Sequence, residues 1–114
     1  MSDLLELRDA MRTFTAERDW EVFHDPKSLL LALVGEVGEL AELLQWLPAD
    51  KARDIISNEP ERSHVSEEVA DILLYLVRLA DVLNIDLFQE AEAKMAKNRS
   101  KHPAGSGQLK RPDS

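Results

Sequence analysis

Residues 25–47 read DPKSLLLALVGEVGELAELLQWL, and the fold follows from how this stretch distributes its few charges. Asp25 is a natural helix N-cap, and Pro26 suits the first helical position, where its missing N–H costs nothing. Pro48 cannot continue a helix, so the spacing predicts one over about 26–47. At about 100° per residue, Leu29, Leu40, Leu33, Leu44, Val37, Leu30, Ala41 and Val34 fill one apolar arc of about 140°. Only Glu36, Glu39, Glu42 and Gln45 are polar in the helix body. Such a helix has almost no solvent face and is expected to lie sandwiched between others. Glu36 and Glu39 fall about 60° apart on the wheel, at the edge of that arc.

The rest of the chain is helical by the same criteria. SDLLELRDAMRTFTAERDW predicts a first helix over about 3–18, with Ser2 as its cap and Leu4, Leu7 or Arg8, Met11, and Phe14 or Thr15 recurring at helical spacing. PADKARDIISNEP reads either as a short helical turn or as a loop, with Asn58 and Pro60 marking a break. A third helix over about 60–83 has EEVADILLYLVRLADVL as its apolar body. A fourth begins after Asp86 as cap and ends in basic residues that suit a helix C-terminus. The sequence contains no glycine-rich phosphate loop, no internal repeat and no convincing strand. The expectation is an all-α protein, an antiparallel four-helix bundle-like protomer, with a domain over 1–103 and a disordered tail over 104–114.

Composition bounds the function. The 114 residues carry 22 acidic and 14 basic side chains, a formal net charge of −8. That balance argues against a nucleic acid polymer as partner, since such binding draws most of its affinity from a basic surface. An anionic substrate would need a cation between it and this chain. There is no cysteine, which excludes disulfides, thiolate metal sites and cysteine nucleophiles. The acidic N-terminal stretch is unlike a signal peptide, and no apolar run approaches a membrane span of about 20 residues. A soluble, cytoplasmic protein without a membrane partner is expected.

The third helix repeats the charge arrangement of the second. Val65, Leu76, Val69, Leu73 and Val77 share one arc, Glu68 and Asp71 lie just beyond it, and Tyr75 projects between them. Two i,i+3 carboxylate pairs on adjoining apolar helices bring four negative charges together, a repulsion that a divalent cation resolves. An all-carboxylate set suits a hard ion, Mg²⁺ or Mn²⁺, rather than zinc. The plainer reading is that each pair is a solvated helix face, as charges commonly are.

The Glu36-x-x-Glu39 pair followed by Glu68-x-x-Asp71 resembles the signature of the MazG-like, all-α nucleoside triphosphate pyrophosphohydrolases. AERDWEVFHDPKSLLLALVGEVGELAELLQW, EEVADILLYLVRLADVLNIDL and KMAKNRSKHP are similar to the dCTP pyrophosphatase branch, over about residues 14–103. The resemblance implies hydrolysis of a nucleoside triphosphate between its α and β phosphates, giving a monophosphate and pyrophosphate. It implies Mg²⁺ held by Glu36, Glu39, Glu68 and Asp71. A carboxylate then has to orient the attacking water or accept its proton, a role that falls to Glu36 or Glu39, with Glu42 and Glu67 as outer candidates. The resemblance also implies phosphate binding by Lys94, Asn98 and Arg99, although basic residues there equally complement the helix dipole. For the base it nominates Trp20, His24, Trp46 and Tyr75, by stacking and edge hydrogen bonding. Trp46 as a core plug and His24 as a surface or capping residue are the plain alternatives. Met11 stands where animal members of the branch are expected to carry a histidine. A homo-oligomer, a tetramer built as a dimer of dimers or a dimer, with sites formed where chains meet, is implied as well.

Two other classes compete. A di-iron carboxylate bundle wants Glu-x-x-His on two helices, and the sequence offers that spacing only at Glu61 and His64, beside Pro60. A non-catalytic helical interaction module would leave the acidic patches in water and use the apolar helices for dimerisation. Within the enzyme class the substrate stays open between dCTP and its modified forms, dUTP, dATP and a broad set of triphosphates.

Overall fold

The computed structural model describes residues 3–105. The Ser2 cap and residues 106–114 of the expected tail lie outside the described residues. Four α-helices follow in order: α1 (Asp3–Glu17), α2 (Pro26–Leu44), α3 (Glu61–Val82) and α4 (Leu87–Lys101). Short 3-10 turns stand at Glu21–Phe23 and Ala52–Ser57. The second of these resolves the ambiguous stretch before Asn58 in favour of a helical turn, packed on α3. Among the described residues there is no strand, and no helix is long and apolar enough to cross a membrane.

Local chemistry sets the ends of these helices. Asp25 caps α2, accepting from Ser28 N–H at 2.9 Å and from the Ser28 hydroxyl at 2.7 Å. Asp86 caps α4 in the same way, through Gln89 N–H at 3.0 Å. α2 ends at Leu44, three residues earlier than its apolar pattern predicts. Gln45 N–H still bonds to Ala41 C=O, and residues 45–47 then tighten into a turn in which Leu47 N–H bonds to Leu44 C=O; Pro48 disfavours the helical region at Leu47 itself.

α1 and α3 end in the same device. Asp19 (φ 53°) and Asn84 (φ 56°) adopt the left-handed conformation just past each helix. Asp19 N–H bonds to Ala16 C=O and Trp20 N–H to Thr15 C=O, while Asn84 N–H bonds to Asp81 C=O and Ile85 N–H to Ala80 C=O. These paired bonds are the Schellman pattern, which satisfies orphan carbonyls and turns the chain sharply. The customary apolar contact is present after α1, where Trp20 folds back edge-on to Phe14 with ring centroids 5.6 Å apart.

The principal packing is α2 along α3 in an antiparallel pair, with α1 crossing the C-terminal half of α3. The core this makes is small. Leu29, Val77 and Ala80 are the buried apolar residues, joined by Thr15 and Arg78. The radius of gyration is 17.1 Å, against about 13 Å for a compact domain of 100 residues.

The expectation that α2 lies sandwiched between helices is therefore half met. Leu29, Leu33, Leu40 and Leu44 turn toward α3 and are buried or half-buried, whereas Leu30, Val34 and Val37 remain exposed. On α3, Val69, Leu73 and Leu76 are likewise exposed. Both bare stripes are displaced in the same angular sense from the seam, so in an antiparallel pair they emerge on one side. Glu39 and Asp71 are displaced in the opposite sense and emerge on the other.

Replacing Asp25 by Ala removes the α2 cap and is expected to lower unfolding stability by about 1 kcal/mol, measured by denaturant titration. An unchanged midpoint would show that packing on α3 alone fixes the start of this helix.

Candidate metal and nucleotide site

The acidic side of the α2–α3 seam gathers Glu36 and Glu39 from one helix and Glu68 from the other. Each presents a carboxylate oxygen within 4.8 Å of the others. Glu36 and Glu68 are half-buried and Glu39 is exposed. Glu68 Oε2 is sealed from solvent and has no hydrogen-bond partner, because its neighbours are themselves acceptors when ionised. The cluster therefore favours a proton on Glu68. The Glu36 carboxylate as acceptor for that proton, then desolvation, then the Glu39 carboxylate as a second acceptor and the charges of both push its pKa up to about 7.

The residues present fit a divalent cation. An orphaned buried carboxylate oxygen, two further carboxylates within reach and no histidine or thiolate form a hard, all-oxygen donor set. Asp71, one helical turn on from Glu68, stands outside this group of three. It is exposed and borders the cavity next to it.

That cavity, of about 420 Å³, is lined by Met11 and Phe14 of α1, Trp20 and His24 of the first connection, and Asp71 and Tyr75 of α3. Ala10 and Leu74 complete it. It is formed because the turn after α1 carries Trp20 back over Phe14, while the 3-10 turn at Glu21–Phe23 delivers His24 toward α3. His24 Nδ1 accepts a hydrogen bond from Arg78 Nε at 3.0 Å. Burial, then the Arg78 charge, hold the His24 pKa below its ordinary value, against a smaller opposing pull from Glu21.

The structure thus brings together Glu36, Glu39 and Glu68, and beside them Asp71, Trp20, His24 and Tyr75. It does not bring Trp46 to the pocket. This side chain lies beyond the end of α2 and is 84% exposed. Lys94 and Arg99 are exposed on α4, and Asn98 is half-buried with its Oδ1 sealed and unpartnered. Glu42 and Glu67 are exposed. Met11, Phe14, Leu74 and Arg78 belong to the site or its support without having been read as base-binding residues. Their spacing on α1 and α3 is that of any core face, which hides a cavity wall from a periodicity argument.

The MazG nucleotide pyrophosphohydrolase domain matches residues 24–106. The chain belongs to the MazG nucleotide pyrophosphohydrolase family. It is 50% identical over 100 residues to dCTP pyrophosphatase 1 of Bos taurus and 48% identical over 101 residues to that of Homo sapiens, alignments covering 88% and 89% of this chain. The chain spans 59% of the length of these relatives. A solved pyrophosphatase structure from Archaeoglobus fulgidus superposes with a TM-score of 0.82 at 36% identity, covering 90% of this chain and 94% of that one. Family membership leaves the di-iron reading without support. Three of the four paired acids, Glu36, Glu39 and Glu68, lie together at the helix seam, and Asp71 does not join them.

The Glu68 proton has a stability consequence. Its folded pKa is raised from 4.5 to about 7, so the group's contribution is fully present below pH 4.5 and is lost as pH rises through about 7. Thermal unfolding in a chelator should show melting temperature falling across that window, and Glu68→Gln should flatten the fall. Retention of the full slope in the variant would mean that other groups titrate.

Proposed function

We propose that this chain hydrolyses a nucleoside triphosphate between its α and β phosphates, with dCTP and its modified forms as the preferred substrates and dCMP and diphosphate as products. The observation that carries the reading is the Glu36, Glu39 and Glu68 cluster opening beside an aromatic cavity, in a chain about half identical to dCTP pyrophosphatases. Nucleotide-pool cleansing in the cytoplasm is the cellular role this chemistry fits.

Glu36, Glu39 and Glu68 would hold Mg²⁺, with Mn²⁺ as a substitute, and Asp71 would join them from the border of the cavity. When bound, the ion neutralises phosphate oxygens and lowers the pKa of a coordinated water. The carboxylate of Glu36 or Glu39 accepts the proton of the attacking water, and Glu39, the exposed member, is the freer to do so. Trp20 and Tyr75 offer ring faces to the base, and Phe14 braces Trp20 edge-on. Lys94, Asn98 and Arg99 bind the phosphates.

The site draws on a second copy of the chain. Leu30, Val34 and Val37 of α2 and Val69, Leu73 and Leu76 of α3 form one bare apolar face opposite the carboxylates. An accessible area of 8878 Å² exceeds the roughly 6,300 Å² typical of a folded monomer of this mass. Pairing these faces completes a four-helix core in a homo-oligomer, a dimer or a tetramer of two such dimers; for Lys94, Asn98, Arg99 and Trp46 to serve the acidic seam, further contacts between copies would have to carry them there.

Glu39→Gln and Asp71→Asn are expected to abolish turnover while leaving the chain folded, in assays that measure diphosphate and monophosphate separately over a panel of canonical and modified nucleotides. Wild-type rates in either variant, or orthophosphate as the primary product, would overturn this reaction. Val34→Asp and Leu73→Asp should each shift the sedimentation equilibrium toward monomer and cost activity. Unchanged assembly in both would place the interface elsewhere.

A further inference from the structure

Arg78 is 8% exposed, the most deeply buried charged side chain among the described residues. Every bond it makes is fixed by chemistry, because a guanidinium only donates and does not lose its proton. Its Nη1 donates to Asp81 Oδ2 at 3.2 Å. Asp81 in turn accepts from Arg12 of α1, through Nε at 2.8 Å and Nη2 at 2.6 Å. The remaining direction is set: Arg78 Nε–H donates to His24 Nδ1 at 3.0 Å. Nδ1 therefore carries a lone pair, and the proton of the neutral ring sits on Nε2. A second proton would place a cation against Arg78 in a half-buried position, which burial and the guanidinium charge both oppose.

His24 lines the cavity bounded by Trp20 and Tyr75. Its Nε2 has no hydrogen-bond partner among the described residues. We propose that Arg78 is a specificity-determining positioning residue: it locks His24 as an Nε2–H donor, so that the cavity selects a nucleobase edge presenting a hydrogen-bond acceptor. At position 3 cytosine presents a bare nitrogen that accepts, whereas uracil presents an N–H; O2 accepts on both bases and does not separate them. A histidine free to exchange tautomers would donate to an acceptor edge or accept from a donor edge, and would discriminate less. Asp81 and Arg12 hold Arg78 in register from α3 and α1, so the choice of base is tied to how those helices cross. The base-edge part of the inference rests on the nucleotide-hydrolase reading above; the tautomer lock does not.

Two measurements on the full chain test it. In the nucleotide-free protein, ¹⁵N NMR of the imidazole should show Nε2 protonated and Nδ1 bare, and Arg78→Met should move His24 toward a tautomer mixture. A wild-type ring protonated on Nδ1, or a ring unchanged in the variant, overturns the lock. In kinetics, His24→Phe and Arg78→Met should raise KM for dCTP about three- to tenfold with little change in kcat. Both should leave KM for 3-deaza-dCTP nearly unchanged while still raising it for 2-thio-dCTP, since O2 is common to cytosine and uracil. Parallel losses on all three substrates would mean a structural role only and would overturn the specificity claim. If no triphosphate is hydrolysed by the wild type, the base reading falls with the proposed function, and the NMR result still decides the lock. Should Arg78→Met fail to fold, Asp81→Asn, which weakens the hold on Arg78, is read in the same two ways, with a smaller shift expected.

Discussion

Mutual repulsion among Glu36, Glu39 and Glu68 is the constraint around which this chain is arranged. Three carboxylates within 4.8 Å of one another, one with an oxygen sealed from water, form a cluster that an ordinary helix seam would not tolerate. Leucine and valine at those positions would pack more simply. The acids instead leave the seam holding a proton near neutrality, a state that a hard cation would replace. Stability is given up at this cluster, as is expected where a binding site is built into a packed interface.

The same seam explains why the protomer is so open. α2 and α3 use one side of their pair for acids and the other for exposed leucines and valines, leaving Leu29, Val77 and Ala80 as the buried apolar residues among those described. Hydrophobic stabilisation scales with apolar area removed from water, and little is removed within one chain. Thr15, wholly buried with its hydroxyl unpartnered, shows how tightly α1 is nonetheless pressed onto α3. The polar chain from Arg12 through Asp81 to Arg78 reinforces this crossing and extends it to His24, so one network joins the packing of α1 to the wall of the cavity.

Helix positions were largely written in the local sequence. Asp25 with Pro26, and Asp86, mark helix starts because a short acidic side chain can satisfy free N–H groups. Pro48 and Pro103 bound helix ends by steric exclusion. The sharp turns at Asp19 and Asn84 were less visible, since the left-handed conformation is merely tolerated by these residues rather than demanded. Those turns place Trp20 against Phe14. The aromatic wall of the cavity therefore depends on a backbone detail that periodicity does not encode.

By itself the sequence determined the helices, their apolar faces and the two acidic pairs at i,i+3, because each is a property of neighbours within about one helical turn. Through its motifs it also carried the family. Only the tertiary structure decided that Glu36, Glu39 and Glu68 converge while Asp71 turns to the cavity, that Trp46 stays apart from it, and that Arg78 reaches His24 across 54 positions of chain. Those relations depend on how α1, α2 and α3 rotate and cross, and crossing is set by side-chain packing between helices rather than by the pattern along any one of them.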